Sequence, residues 1–320
     1  MTFQKSFLLV LAVALMALPA AAQIDTGSIV GAVTDASGAV VPNVSVTATN
    51  VGTNLSVSTL TNELGQYVFN GLKIGTYKIT AELAGFRKTV QTGIELHVQE
   101  RLAVNLTLQV GAVAETVEVS GAPPLLSTQS ADMGQTVATR QVVDQPLNGR
   151  RYADLSLLAV GVVPRPSPGP GQGNPSEARF NVNGNFSLQN YFALDGVDNN
   201  NASGLMGGSP QIIPAVPDAL AEFKVQTRTY SAEFGESQGA VINAIIKSGT
   251  NSLHGSVYHF FRNDKLDAND FFANRNGIKK GAYRQNQGGF TVGGPVWLGK
   301  LYDGRDRTFF FGDLDRKSVV

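Results

Sequence analysis

The chain has 320 residues and a formal net charge of zero, from 25 basic and 25 acidic side chains. That balance argues against a nucleic-acid partner held by phosphate neutralisation, which needs a basic surplus. Cysteine is absent, which excludes a disulfide framework and a thiolate metal site; charged residues make up only 16% while glycine reaches 35 copies, a composition of short strands and turns rather than long helices.

The N-terminus reads as an export signal. Lys5 precedes an apolar core over 7–18 that is too short to span a bilayer as a helix, and Pro19-Ala20-Ala21-Ala22 offers small residues at a cleavage position. The expected signal peptide is 1–22, with the mature chain starting at Gln23. No cysteine follows the cleavage position, so a lipid anchor is excluded. The remaining sequence has no long apolar run, so membership of a membrane requires a β-barrel.

Strands are predicted over 28–34, 44–50, 55–61, 67–69, 76–83, 89–96 and 101–108. Several alternate cleanly: Val44, Val46, Ala48; Tyr77, Ile79, Ala81; Leu102, Val104, Leu106, Leu108. Asp35-Ala36-Ser37-Gly38, Asn62-Glu63-Leu64-Gly65 and Lys73-Ile74-Gly75 supply turns, and seven short strands at this spacing predict a sandwich. With Gly31, Val33, Asp35, Gly38, Pro42, Val46, Gly65, Tyr67, Phe69, Gly75, Tyr77 and Gly85-Phe86 in place, residues 23–111 resemble the carboxypeptidase regulatory-like domain, a transthyretin/prealbumin-like β-sandwich of the carbohydrate-binding-like group. Glycan binding does not follow from that fold, and the single tryptophan, Trp297, lies far away in sequence.

Residues 112–123 form a linker holding one alternating strand. Glu115, Val117 and Val119 share one face; Thr116, Glu118 and Ser120 share the other. Glycine and proline bracket it, so the strand is expected to be free and suited to β-augmentation by a partner's sheet edge. A plain linker, or one more strand of the sandwich, is the alternative.

The stretch 222–251 is predicted as a strand around Phe223-Lys224-Val225, a polar loop bent at Gly235 and Gly239, a buried strand over 240–246, and a polar exit at Lys247-Ser248-Gly249. Tyr230, Phe234, Gly235, Gly239, Val241, Ile242, Asn243, Ile245 and Lys247 make it similar to the end of the plug domain of TonB-dependent outer-membrane transporters. Phe223-Lys224 stands where that family favours Ile-Glu, and Thr229 replaces a usual glycine. The resemblance extends over 124–248: a strand and a short helix beginning near Gln141-Val142-Val143, a Pro/Gly-rich loop at 164–175, and strands around Phe180, Val182 and Tyr191, Ala193 with Asn183-Gly184 as a turn. Arg179 and Asp195-Gly196-Val197 match a further element of the family. It implies that "ETVEVSG", Glu115 to Ser120, is the box that docks a TonB-type energy transducer, and that loops at 164–175 and 199–208 face an unknown extracellular substrate.

Arg140, Arg150 and Arg151 read as structural ion-pair partners of a polar plug rather than anion ligands. Asp195, Asp198, Asn199, Asn200 and Asn201 are oxygen-rich, but their spacing is not that of an EF-hand, and turn service to the backbone ranks above a metal.

From 249 onward, aromatic-rich strands over 255–263, 287–296 and 307–314 fit barrel hairpins, similar to the start of the barrel in the Oar-like branch of the family. His254 and His259 have no third ligand at metal spacing and are read as girdle or lumen residues. The chain supplies only a few of the roughly 8 strands, each of about 10 residues, that a small barrel needs, so an N-terminal fragment is expected. Residues 315–320, DRKSVV, are read as an artefactual tail, because they back-translate to GATCGGAAGAGCGTCGTG, a common sequencing-adapter string.

The expected fold is mainly β: sandwich, α+β plug and the first strands of an incomplete transmembrane barrel. The expected function is energised uptake through the outer membrane of a Gram-negative envelope, with no cofactor, no metal and no nucleic-acid partner; the completed barrel would contact outer-membrane lipid. A surface adhesion protein whose sandwich binds glycans is the alternative. An enzyme is disfavoured by the lack of an HxxE or triad-like set and by only three histidines.

Overall fold

The computed structural model describes residues 25–111, 116–119, 133–145, 147, 149–165, 180–201, 211–230, 232, 234–235 and 237–319. The expected signal peptide lies outside the described residues, as do Glu115, Ser120 and Arg179.

Eight strands build the first unit: β1 (Thr26–Asp35), β2 (Ser45–Asn50), β3 (Ser56–Leu60), β4 (Gln66–Lys73), β5 (Gly75–Glu82), β6 (Lys88–Leu96), β7 (Arg101–Ala103) and β8 (Leu106–Leu108). They form two sheets, one of order β4-β1-β7 with β8 also on β1, the other running β3-β2-β5-β6 and completed by β9 (Thr116–Val119). The alternating residues named from sequence are the core: Val44, Val46, Ala48, Tyr77, Ile79, Ala81, Leu102, Val104, Leu106 and Leu108 are all buried between the sheets. Period-2 alternation puts one apolar set on one face, and two such faces close on each other. The predicted strand 101–108 is broken in two. β1 changes parallel partner from β7 to β8 there, with Val104 N donating to Val30 O at 2.7 Å. Asn105 Oδ1 accepts from Ala32 N at 2.9 Å. Gly31 permits this crossing, since a Cβ would stand 1.8 Å from Val104 O.

The second unit holds β10 (Met133–Ala138), the short helix α1 (Thr139–Asp144), β11 (Val162–Pro164), β12 (Phe180–Val182), β13 (Tyr191–Leu194), β14 (Val197–Asp198), β15 (Leu220–Arg228) and β16 (Val241–Ile246). Its main sheet has the order β10-β15-β16-β13-β14. The predicted strand, loop and buried strand of 222–251 are β15 and β16, paired antiparallel. Phe223 and Val225 pack with Val137, Val142, Tyr152, Phe180, Phe192 and Ile242 in one apolar cluster, and Tyr152 meets Phe223 edge to face at 5.5 Å. The segments around Phe180 and Tyr191 are strands but not each other's partners. A 3₁₀ turn at Ser187–Gln189 carries the chain away, so β12 pairs β11 and β13 pairs parallel with β16.

The last unit is an antiparallel sheet of β17 (His254–Asn263), β18 (Arg284–Pro295) and β19 (Phe309–Val319), with the one-turn helix α2 (Phe271–Arg275) in the loop between β17 and β18. β19 runs through residues 315–319, with Asp315 opposite Gly289 and Ser318 opposite Asn286. Among the described residues no helix is long and apolar enough to cross a membrane, which leaves crossing by strands untouched.

Candidate partner-docking surface and plug gate

The three-stranded sheet has two chemically different faces. One cross-strand row joins Val257, Phe290 and Leu314, and the next joins Ser256, Thr291 and Asp313. Val257 is 88% exposed, and Phe261, Phe290, Phe310 and Leu314 lie open on the same side. The opposite face is mixed and turned toward the second unit: Gln285, Gln287 and Thr291 are buried, Ser256 Oγ lies 2.9 Å from Thr291 Oγ1, and the rings of Tyr258 and Phe260 alternate with these positions. An open apolar row outward and buried glutamine and threonine inward, with period 2, fit a strand between lipid and a lumen that holds polar groups. His259 is exposed among the outward residues, whereas His254 begins β17 with Nδ1 2.9 Å from Ser252 O.

Arg150 joins the second unit to the three-stranded sheet. It is ion-paired with Asp218, both side chains being buried, and its guanidinium stacks 3.8 Å from the Phe260 ring centroid and 5.7 Å from that of Tyr258. Arg151 pairs with Asp154 at 2.8 Å and Arg140 with Asp144 at 3.7 Å. All three arginines therefore act within the protein's own ion pairs, as read from sequence.

The plug-motif residues divide by role. Asp195 and Gly196 form the β13–β14 turn with φ of 50° and 76°, a left-handed pair that suits a tight hairpin. Asp195 Oδ1 accepts from Ile246 N at 2.8 Å, and burial pushes its carboxyl above the usual range; Val197 follows in β14. Asp198 Oδ1 accepts from Asn200 N at 2.8 Å, Asn199 spans to Ile213 O and N, and Asn200 Oδ1 accepts from Phe192 N. These oxygens serve turns and strand ends. Gly235 lies in the β15–β16 loop, where a Cβ would meet open space, whereas at Gly239 a Cβ would fall 2.2 Å from Asn190 Oδ1. Asn190 itself clasps Phe180 O and Ala240 N. Asn243 is fully buried at the centre of β16. Lys247 Nζ donates to Asp218 O at 2.7 Å, and burial pushes its ammonium below the usual lysine range while Asp218 opposes that shift.

The expected docking strand is not free. Thr116–Val119 form β9, which pairs parallel with Lys88 to Gln91 of β6 and so becomes the end strand of the β3-β2-β5-β6-β9 sheet. The reason is elementary: β6 offers an unpaired row of N–H and C=O groups, and an adjacent alternating strand satisfies it. The outer edge of β9 has no strand on it among the described residues.

A second finding concerns β15. Apolar–polar alternation around Phe223-Lys224-Val225 is the pattern of a strand with one solvated face, yet Glu222 is 5% and Lys224 8% exposed. The sandwich covers them. His97 Nδ1 lies 2.7 Å from Glu222 Oε2, Val98 N donates to Glu222 Oε1, and Lys224 Nζ donates to Gln99 O at 3.1 Å. The hydrogen bond to Glu222 holds the His97 imidazole above its ordinary pKa, against burial, with Glu100 and Glu95 adding to the upward pull. Beside this contact a cavity of about 550 Å³ is lined by Lys73, Glu95, His97, Asp195, Glu222 and Lys247, among others. No sequence motif marked His97 or Gln99. The one available signal was the run of Glu222, Lys224 and Gln226 on a single strand face.

Residues 245–319 match a family described as an outer membrane beta barrel domain, and residues 28–109 match the carboxypeptidase regulatory-like domain. Over 295 residues, 88% of the chain, it is 30% identical to the TonB-dependent transporter Oar of Myxococcus xanthus and spans 26% of that protein's length. The chain is a homologue of the Oar-type TonB-dependent transporters. Its fold is mainly β, and the barrel segment with its apolar outward face assigns this Oar-like chain to a Gram-negative outer membrane. Among solved structures it is similar to the siderophore receptor PirA of Acinetobacter baumannii, at 19% identity over 56% of this chain and 24% of that one with a TM-score of 0.40. It is also similar to the outer membrane transporter YddB of Escherichia coli, at 17% identity over 52% and 24% with a TM-score of 0.42. Likenesses this distant carry no argument about ligand or mechanism. The relatives are transporters and receptors.

Proposed function

We propose that the chain is the gate-bearing part of an outer-membrane TonB-dependent transporter that takes up an extracellular substrate at the expense of inner-membrane energy. The observation that carries the reading is the two-faced β17–β18–β19 sheet, with an open apolar row outward and buried Gln285, Gln287 and Thr291 toward a separately cored plug, and with Arg150 joining the two. The likeness to the transporter from Myxococcus xanthus supports it. In this reading 1–22 is a signal peptide, 23–111 the sandwich, 112–123 the linker with the docking box, 124–248 the plug and 249–314 the start of the barrel. Glu115, Thr116, Val117, Glu118, Val119 and Ser120 dock a TonB-type transducer by backbone pairing. Arg179, Asp195, Gly196, Val197, Gly235, Gly239, Asn243 and Lys247 keep the plug folded, and loops at 164–175 and 199–208 meet the substrate. Catalysis has no part in this function.

Docking by backbone pairing has a direct test. A Val117→Pro substitution removes one N–H donor and is poorly accommodated in a paired strand. In the full-length protein it is expected to abolish co-purification with the transducer's periplasmic domain, while outer-membrane insertion is unchanged. Wild-type binding by the proline variant would refute docking at this strand.

A further inference from the structure

The sandwich meets the plug sheet through one turn. Residues 97–100 join β6 to β7 and place His97, Val98 and Gln99 against two polar residues on one face of β15, Glu222 and Lys224. β15 lies inside the plug sheet, between β10 and β16, so this turn grips the middle of the gate rather than its rim. The contact consists of charge and backbone hydrogen bonds, which are strong only while water is kept out. It also has a loose point. Gln99 has a φ of 53°, and its buried side-chain nitrogen and oxygen find no hydrogen-bond partner among the described residues. A buried unpaired amide works against the closed arrangement, as suits a junction made to open.

The strand that ends in this turn is also the one that holds β9. Lys88 to Gln91 pair with Thr116 to Val119, and six residues on, β6 runs into His97. We propose that the sandwich is a latch on the plug: the β6–β7 turn locks β15 at rest, and a partner that draws β9 off β6 strains the same strand and frees Glu222 and Lys224. This rests on the docking role proposed for 115–120. It gives the sandwich a part in gating rather than in spacing or ligand binding.

Cysteine is absent from these 320 residues, so a cysteine pair placed here, with any cysteine elsewhere in the full-length protein replaced, reports on this contact alone. In the full-length protein carrying His97→Cys and Glu222→Cys, a short bis-maleimide is expected to link the pair at rest. Linked protein should retain outer-membrane insertion and lose at least about tenfold in uptake, a factor equal to about 1.4 kcal/mol. No link at rest, or uptake unchanged by the link, overturns the latch. A second measurement does not require transport. In a His97→Ala variant, amide exchange across β15 should speed by about tenfold while exchange in the sandwich core stays unchanged; unaltered exchange at β15 overturns the proposal. Should the chain bind no transducer, the Val117→Pro comparison exposes that failure separately, and the exchange result still decides whether the turn holds the strand.

Discussion

Arg150 shows how much of this molecule's order rests on single side chains. Its partner Asp218 is as buried as it is, and Asp218 also receives Lys247 through its carbonyl. Removing one member of a buried pair leaves the other charge uncompensated, which typically costs about 3–5 kcal/mol. Arg150→Ala should therefore lower the plug's stability by about 3 kcal/mol, read as a drop in the denaturation midpoint of the refolded protein. Arg150→Lys should recover only part of that loss, because an ammonium cannot stack on Phe260 and fork onto Asp218 together. His97 gives a pH prediction with a definite sign. Its folded pKa is raised above 6.5, so the stabilisation from the protonated ring is complete below about 6.5 and fades as pH rises through the raised value. The carboxylates that raise it are Glu222 on β15 and Glu100 and Glu95 on its own segment, and Asp25, Lys73, Asp195, Lys247 and His254 line the same cavity. Protection of the 97–100 turn against amide exchange, corrected for intrinsic rates, should fall from mildly acid to alkaline pH. A His97→Gln variant should flatten that profile; a profile identical to wild type would remove the ring from the account.

Elements were legible in the sequence where one face meets a single environment. The sandwich strands announce themselves because Val44, Val46 and Ala48 or Tyr77, Ile79 and Ala81 each line one core, and period 2 admits no other reading. β15 and β16 were legible for the same reason on their Phe223, Val225 and Ile242 side. The other side of β15 was not, because Glu222 and Lys224 look solvated until a second unit covers them. Likewise β9 alternates but carries no record of the strand it joins: pairing with β6 is set by three-dimensional proximity, and sequence pattern fixes only which residues share a face. The Asn183-Gly184 turn was visible, whereas the 3₁₀ turn at Ser187–Gln189 that sends β13 to β16 has no comparable signature.

At the scale of the whole molecule, the three units meet at one end of the barrel strands. Asn251 N donates to Gly52 O at 2.9 Å, and Asp306 in the β18–β19 connection accepts from Asn54 at 2.9 Å and Asn251 at 2.6 Å. The first unit thus contacts the start of the β17–β18–β19 sheet, with no strand on the outer edge of β9 among the described residues and its β6–β7 turn against β15. An edge strand such as β9 can be engaged by backbone pairing alone, and the polar contacts at β15 are the kind that water can replace once they part.

The proposed function depends on whether an energy transducer engages the 115–120 segment in the living cell. The most direct measurement places a photo-activated cross-linking residue at position 117 in the full-length protein and, as a control, at position 58 in β3, the opposite edge of the same sheet. A covalent adduct with the TonB-type transducer at 117, and none at 58, is the result predicted. No adduct at 117, or equal adducts at both edges, would contradict it.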